Sequence, residues 1–258
     1  MPGAADAPQG TQAISRAVQL LRAIPRGAAA GRRLKDLAAS VGLTEPTARR
    51  ILKALAREQL VAQDPATKLY RLGPLVFELG LASDDHTRVI EACRPHLRAL
   101  AAETGDTVFL ARRSGTETVC LDRVDGSFPI RAAVAEIGQR MPLGVGTSGV
   151  VLLSAFSDPE VAEVLAAVAE RVGLYNGLST EEILLRVAAT RRNGYADIAD
   201  KPIPGVRGIG TAVPTIAGPP VLAMSVAAVH ARLPDARVPA VCQALRRTAD
   251  RIAAQLRG

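Results

Sequence analysis

The chain has 258 residues, three widely spaced cysteines (Cys93, Cys120, Cys242), three scattered histidines (His86, His96, His230) and a net charge of +7. That length holds one large domain or two ordinary ones. An odd cysteine count without CxxC spacing argues against a disulfide or zinc framework and for a reducing compartment. No apolar run is both long and uncharged enough to span a membrane, and no signal peptide is visible, so a cytoplasmic location is expected.

Charge is unevenly spread. Residues 1–80 carry 12 Lys or Arg against 6 Asp or Glu, whereas residues 81–258 carry 20 against 19. Nearly all the excess positive charge therefore lies in the first third. A basic small domain beside a neutral large one is what attraction to a phosphate backbone predicts.

In chain order, MPGAADAPQG (1–10) is expected to be a disordered tail. Ile14, Val18, Leu20 and Leu21 then form the apolar stripe of a first helix. The segment LKDLAASVGLTEPTARRILKAL (34–55) predicts two short helices joined by a tight turn. Leu34, Leu37, Ala38 and Val41 give one stripe, and Gly42 breaks it where a turn needs positive φ. Thr44 is a suitable N-cap, Glu45 favours the positive helix end, and Pro46 sits where its missing N–H costs little. Ala48, Ile51, Leu52 and Leu55 make the second stripe, which leaves Thr47, Arg49, Arg50 and Lys53 for the outer face. This is the pattern of a helix-turn-helix, a unit that presents one helix to a DNA major groove; its bland alternative is an αα-hairpin with a solvated basic face. Residues 60–72, LVAQDPATKLYRL, predict two short strands around an Asp64–Lys68 turn, the wing of a winged helix. Lys68 and Arg71 on that wing, with Arg33, are candidates for phosphate contacts.

Residues 73–83 predict a linker helix that supports dimer contacts, and Val89–Glu103 an amphipathic helix stopped by Gly105. Strands are expected at 107–115 and 116–126 as a hairpin around Ser114-Gly115, with a third at Ile130–Val134. GQRMPLGVGTSG reads as a loop opening a helix at Gly149. Further helices are expected at 158–170, 180–193 and 238–256, and strands at Ile209–Val213 and Val221–Ala228.

Gly144-Val145-Gly146-Thr147-Ser148-Gly149 precedes a helix, so its backbone amides are either an anion cradle or a plain turn. It is neither a P-loop nor a dinucleotide fingerprint. Ser148 lies in no nucleophile elbow and has no evident histidine partner. Asp122 with Asp125, or Asp197 with Asp200, are formal acid/base pairs but are better read as turn caps or partners of Arg123 and Arg207. No catalytic residue, cofactor or metal site is assigned.

In order and spacing these features resemble the IclR family of bacterial transcription regulators, from about Thr11 to Leu256. The residues that carry the likeness are Leu34–Leu43, Thr47-Ala48 with Leu52, and Asp64-Pro65 with Lys68, Arg71, Leu72 and Gly73. They continue through Glu103–Val108, Leu121–Val124, Pro142-Leu143 with Gly149, Arg192–Tyr195, Pro204–Arg207 and Ala223–Val226. The resemblance implies an α+β protein: an N-terminal winged helix-turn-helix (11–73), a linker helix (74–87) and a GAF-like effector-binding domain (88–258) with a curved antiparallel sheet and flanking helices. It implies a homodimer or homotetramer on a palindromic double-stranded DNA operator, modulated by a small organic acid. DNA contacts are expected from Thr44, Thr47, Arg49, Arg50, Lys53, Lys68, Arg71 and Arg33. Effector contacts are expected from Gly146, Thr147, Ser148, Asp200, Arg207, Gly208 and Ser225.

Departures from the family pattern point to the ligand. Glu45 is acidic where a basic residue is common, Gly144 stands for a frequent His, and Val150 for a frequent Lys. Ile198, Gly208 and Ala227 occupy places that are Asp, Cys and Ser in members binding very small keto acids. An unpaired buried polar group costs roughly 1–3 kcal/mol, so a site with fewer of them suits a larger, more apolar acid such as a benzoate or phenylpropanoid. Three rivals are a regulator with a vestigial, ligand-independent C-terminal domain, a small-molecule enzyme, and a helix-turn-helix used only for protein contacts.

Overall fold

The structure is a computed structural model that describes residues 11–26, 31–82, 84–130, 132, 134–215 and 217–257, the side chains of 26 and 84–87 excepted. The tail expected over 1–10 lies outside the described residues. Contacts divide the chain into two units, Met1–Thr87 and Arg88–Gly258.

The first unit contains α1 (Thr11–Ala23), α2 (Leu34–Ser40), α3 (Glu45–Arg57), β1 (Val61–Gln63), β2 (Tyr70–Leu72) and α4 (Pro74–Leu81). Its core joins Leu20, Leu37, Ala38, Ala48, Leu52 and Leu55 to Val61 and Tyr70 of the wing. Gly42 has φ +65, which lets the chain reverse between α2 and α3. One expectation fails at α1. Ile14 and Val18 are 65% and 37% exposed, whereas the expected Leu20 is buried and Leu21 partly so, joined by Ala23 and Ile24. Among the described residues, the core of this unit draws on the last turns of α1, where Leu20 and Ala23 lie. The wing gains a third strand-like member, because Arg32 exchanges two backbone hydrogen bonds with Tyr70 (3.0 and 2.8 Å).

In the second unit the elements are α5 (Asp84–Thr104), β3 (Thr107–Ser114), β4 (Glu117–Val124), β5 (Arg140–Pro142) and α6 (Gly146–Ser154). These are followed by α7 (Asp158–Val172), α8 (Thr180–Asn193), β6 (Ala196–Ala199), β7 (Val206–Ala212), β8 (Leu222–Val229) and α9 (Val238–Gln255). Six strands form one antiparallel sheet in the order β5-β4-β3-β8-β7-β6. Strand alternation splits the core in two. Val108, Leu110, Ile209, Met224 and Val226 pack under α5 and α9. On the other face Ile198 and Ala223 join α6, α7 and α8.

Helix ends follow local chemistry. The Glu160 carboxylate accepts from the Ser157 amide at 2.8 Å before α7, and Ser179 Oγ accepts from the Glu182 amide at 3.1 Å before α8. Gly194, at φ +74, terminates α8.

The structure corrects four expected boundaries. Ile130, Ala132 and Val134 belong to no strand; the sheet edge is β5, where Arg140–Pro142 pair with β4. Helix α6 starts at Gly146 rather than Gly149, because Gly144 and Gly146 take φ +91 and +64 and turn the chain early. Helix α5 begins at Asp84 rather than Val89, and β6 was not expected.

Candidate DNA-recognition surface and ligand cavity

Leu37 and Ala38 of α2 meet Ala48 and Leu52 of α3 in the first unit's core, which fixes α3 with its polar face outward. Arg49, Arg50 and Lys53 are exposed, and Thr47 is half-buried. Arg57, also exposed, extends the Arg50–Lys53 row by one turn; its helical spacing was legible, but the sequence pattern stopped at Leu55. Thr44 occupies the N-cap position, yet its hydroxyl donates to Thr47 Oγ1 at 2.9 Å instead of capping the backbone. The two threonines thus form a small polar step at the exposed start of α3.

The wing turn is organised by Asp64. Its Oδ1 accepts from the amides of Ala66 (3.0 Å) and Thr67 (2.7 Å), and those bonds hold the carboxyl below its ordinary value. The turn places Lys68 in the left-handed region at φ +60 with its side chain exposed. Arg71 on β2 and Arg33, the residue before α2, are exposed as well. All eight residues expected to contact DNA thus lie on α3, at its entrance, at the start of α2 or on the wing.

The second unit holds a cavity of about 590 Å³, its open mouth included. Its floor is the sheet face opposite α5 and α9. Register aligns Ile198 with Gly208 and Gly208 with Ala227, so the three departures noted in sequence form one cross-strand row. The neighbouring row is Gly210, Ser225 and Phe109. Val134, Ala135, Pro202, Ile203 and Met141 of β5 also line the cavity. The first turn of α6 supplies Gly146, Thr147 and Ser148; Ser148 Oγ lies 3.4 Å from Ser225 Oγ. The amides of a first helical turn have no partner within the helix and carry the positive end of its dipole. One side of this cavity is therefore suited to an anion or a carbonyl, and the rest to apolar atoms.

Five of the seven residues expected at an effector site (Gly146, Thr147, Ser148, Gly208, Ser225) line this cavity, whereas Asp200 and Arg207 do not. Arg207 precedes Gly208 on β7, so alternation turns it to the other face. There its guanidinium donates to Asp197 (2.8 and 2.6 Å), Asp235 (2.8 Å) and the Leu233 carbonyl (2.7 Å). Asp200, at φ +61, accepts from the Gly205 amide at 2.8 Å and closes the β6–β7 turn. Sequence reasoning missed Lys201, the one charged side chain among the described lining residues. It also missed Cys120, which lines the cavity and whose thiol burial pushes up to about 12.

The other acidic candidates are engaged in ion pairs. Asp122 takes both ends of the Arg94 guanidinium (2.9 and 3.0 Å) and Asp125 pairs with Arg123 (2.9 Å); Asp106, which the sequence did not single out as an acid, sits between Arg232 and Arg237 (3.1 and 2.6 Å). Among the described residues no three His, Cys, Asp or Glu side chains gather as metal ligands, and no helix is long and apolar enough to cross a membrane.

A basic helix-turn-helix with a wing, followed by a separate unit with a sheet-floored cavity, defines a DNA-binding regulator of two-domain type. Residues 13–65 match the family model of the IclR helix-turn-helix domain, and residues 82–254 that of the bacterial transcriptional regulator IclR C-terminal domain. The chain belongs to the IclR family of bacterial transcriptional regulators. It is 31% identical over 214 residues to the HTH-type transcriptional regulator TtgV of Pseudomonas putida, covering 81% of this chain and 79% of that protein. It is 26% identical over 258 residues to the HTH-type transcriptional repressor AllR of Escherichia coli K12, covering 99% and 94%. These relatives are regulators and not enzymes, and so is this chain.

Two solved structures show the same fold. The IclR-type regulator of Alicyclobacillus acidocaldarius superposes with TM-score 0.78 at 23% identity, over 95% of this chain and 98% of that one. An IclR homologue of Microbacterium hydrocarbonoxydans, in complex with 4-hydroxybenzoate, superposes with TM-score 0.74 at 22% identity, over 95% and 99%.

Proposed function

We propose that this regulator binds a palindromic operator in the cytoplasm as a homodimer or homotetramer, and that a small aromatic acid in the second-unit cavity modulates that binding. The observation that carries the ligand half is the composition of the cavity. The first turn of α6, whose amides lack intrahelical partners, and the Thr147, Ser148 and Ser225 hydroxyls border an apolar lining of Ile198, Gly208, Ala227, Phe109 and Met141. An acid with a ring satisfies both parts, whereas a two- or three-carbon keto acid leaves the apolar part empty. The complex of the Microbacterium homologue with 4-hydroxybenzoate supports the same ligand class.

On the DNA side, Arg49, Arg50 and Lys53 reach base edges, and a bidentate arginine–guanine pair discriminates by about 1–3 kcal/mol. Thr44 and Thr47 contact the groove at the entrance of α3. Lys68, Arg71 and Arg33 hold phosphates. Exposed apolar residues on α1 (Ile14, Val18) and α4 (Phe77, Leu79, Leu81) support self-association. The ligand acts only through different affinities for two states of the bound protein.

The test is fluorescence anisotropy of the full-length protein on DNA upstream of its own gene, over a salt series, with Arg50→Ala and with benzoate, 4-hydroxybenzoate and 3-phenylpropanoate added. Tight, salt-dependent binding that Arg50→Ala weakens about ten- to a hundredfold and an aromatic acid shifts is expected. Selective DNA binding indifferent to every acid would leave a ligand-independent second domain.

A further inference from the structure

The cavity has a single charged residue among its described walls, and that residue is cationic. Lys201 follows the β6 strand, and the next residue, Pro202, lies against the start of α6: a Cβ placed on Gly146 would be 3.7 Å from Pro202 Cδ. Lys201 therefore belongs to the same side of the cavity as the first turn of α6. Its side chain is only 19% exposed.

The ammonium is incompletely engaged. It donates to the Asn176 carbonyl, and the nearest carboxylate oxygen, Glu182 Oε2, stands 3.7 Å away, beyond hydrogen-bond length. The other oxygen of Glu182 is taken by Arg186 at 2.6 Å. Two cations thus share one carboxylate, and that corner is one negative charge short. An ammonium has three N–H donors, so at least one of Lys201 has no partner among the described residues. Asn176 and Glu182 are not among the cavity's lining residues, so the ammonium stands at the edge of a mostly apolar wall, a poorly paired cation that an entering anion would complete.

Resting on the ligand reading above, we infer that Lys201 is the charge-selecting residue of the cavity: it makes the site prefer an acid over the neutral molecule of the same shape. The helix amides and hydroxyls accept any carbonyl or carboxylate oxygen, so they orient the ligand without separating acid from amide. The ammonium separates them, because only a carboxylate supplies the missing charge. The entering carboxylate takes the place that Glu182 fills weakly, and Glu182 stays with Arg186.

The experiment is calorimetric titration of the full-length protein with benzoate, 4-hydroxybenzoate and 3-phenylpropanoate, each beside its primary amide. The wild type is expected to bind at least one acid and to prefer it to its amide. Lys201→Met lowers acid affinity about ten- to a hundredfold and leaves the amide unchanged, while Lys201→Arg keeps the preference. Glu182→Gln leaves Lys201 in place and removes its rival carboxylate; it tightens the acid about two- to fivefold without moving the amide, which serves should Lys201→Met fail to fold. A Lys201→Met protein with wild-type preference, or a Glu182→Gln protein with an unchanged acid-to-amide ratio, overturns the inference and leaves the aromatic pocket standing. A wild type that binds acids and amides equally does the same. A wild type that binds none of the six overturns the inference and the ligand reading together.

Discussion

Thr147 occupies the space that a side chain on Gly208 would need: a Cβ built on Gly208 falls 2.3 Å from Thr147 Oγ1. The start of α6 and the middle of β7 approach this closely because β7 also carries Gly210, whose Cβ would lie 2.7 Å from Thr147 Cγ2. The N-terminal end of α6 is therefore seated on the sheet by two missing side chains. Gly208→Ala is expected to cost about 1–3 kcal/mol of stability, as overpacking does. It also pushes the first turn of α6 off the floor and weakens aromatic-acid binding. Adding Thr147→Ala should recover most of the lost stability, since the Cβ of residue 147 at 3.4 Å and the Val226 carbonyl oxygen at 3.8 Å then remain, both ordinary contacts. Thermal melts of the two single mutants and the double mutant check this, and simple additivity would contradict the contact.

Arg207→Met separates structural from ligand-binding roles. The guanidinium is buried between Asp197, Asp235 and the Leu233 carbonyl, away from the cavity. Asp235 is 96% exposed and returns to water readily, so the expected loss is about 1–3 kcal/mol rather than the full cost of a broken buried pair. Acid affinity of the folded variant should match the wild type. Normal melting with abolished acid binding would place Arg207 at the ligand after all.

The wing offers a different separation. Asp64→Ala removes the acceptor for the Ala66 and Thr67 amides, so the turn carrying Lys68 loses its shape. Operator affinity should fall while the ranking of base-substituted operators stays that of the wild type, because α3 is untouched. Lys68→Ala should lower the slope of log affinity against log salt by about one. An anisotropy series with unchanged slope would remove Lys68 from the phosphate contacts.

Glu117 sets an acid-sensitive point. Burial raises its pKa, but hydrogen bonds from Arg171 and Arg140 outweigh this and hold it below the ordinary 4.5. Below pH 4.5 the unfolded chain takes up a proton at this site that the folded one still refuses. The stability it contributes is whole above that pH and is lost as pH falls toward the folded value. Glu117→Gln should cost about 1–2 kcal/mol at pH 7 and show a shallower decline of melting temperature below pH 4.5 than the wild type. Parallel curves for the two proteins would show that other carboxylates dominate the acid limb.

The helix-turn-helix, its wing and the long helices of the second unit were legible in the sequence because their signals are local. Leu37, Ala38, Ala48 and Leu52 repeat at helical spacing, and Gly42 and Asp64 mark turns; neither signal depends on distant residues. The departures at Ile198, Gly208 and Ala227 were visible one by one. Only strand register made them a single row on the cavity floor, since pairing joins residues that lie 10 and 19 positions apart.

Tertiary structure alone decided which way side chains face. Alternation on β7 sent Arg207 to the α9 side and Gly208 to the cavity, a one-residue difference that composition and motif do not encode. Ile14 and Val18 read as core by spacing, yet burial requires a partner surface, and among the described residues both stay exposed. Lys201 carried no motif at all. It became the cavity's cation because the turn after β6 passes the first turn of α6, a meeting of segments about fifty residues apart that only the folded chain creates.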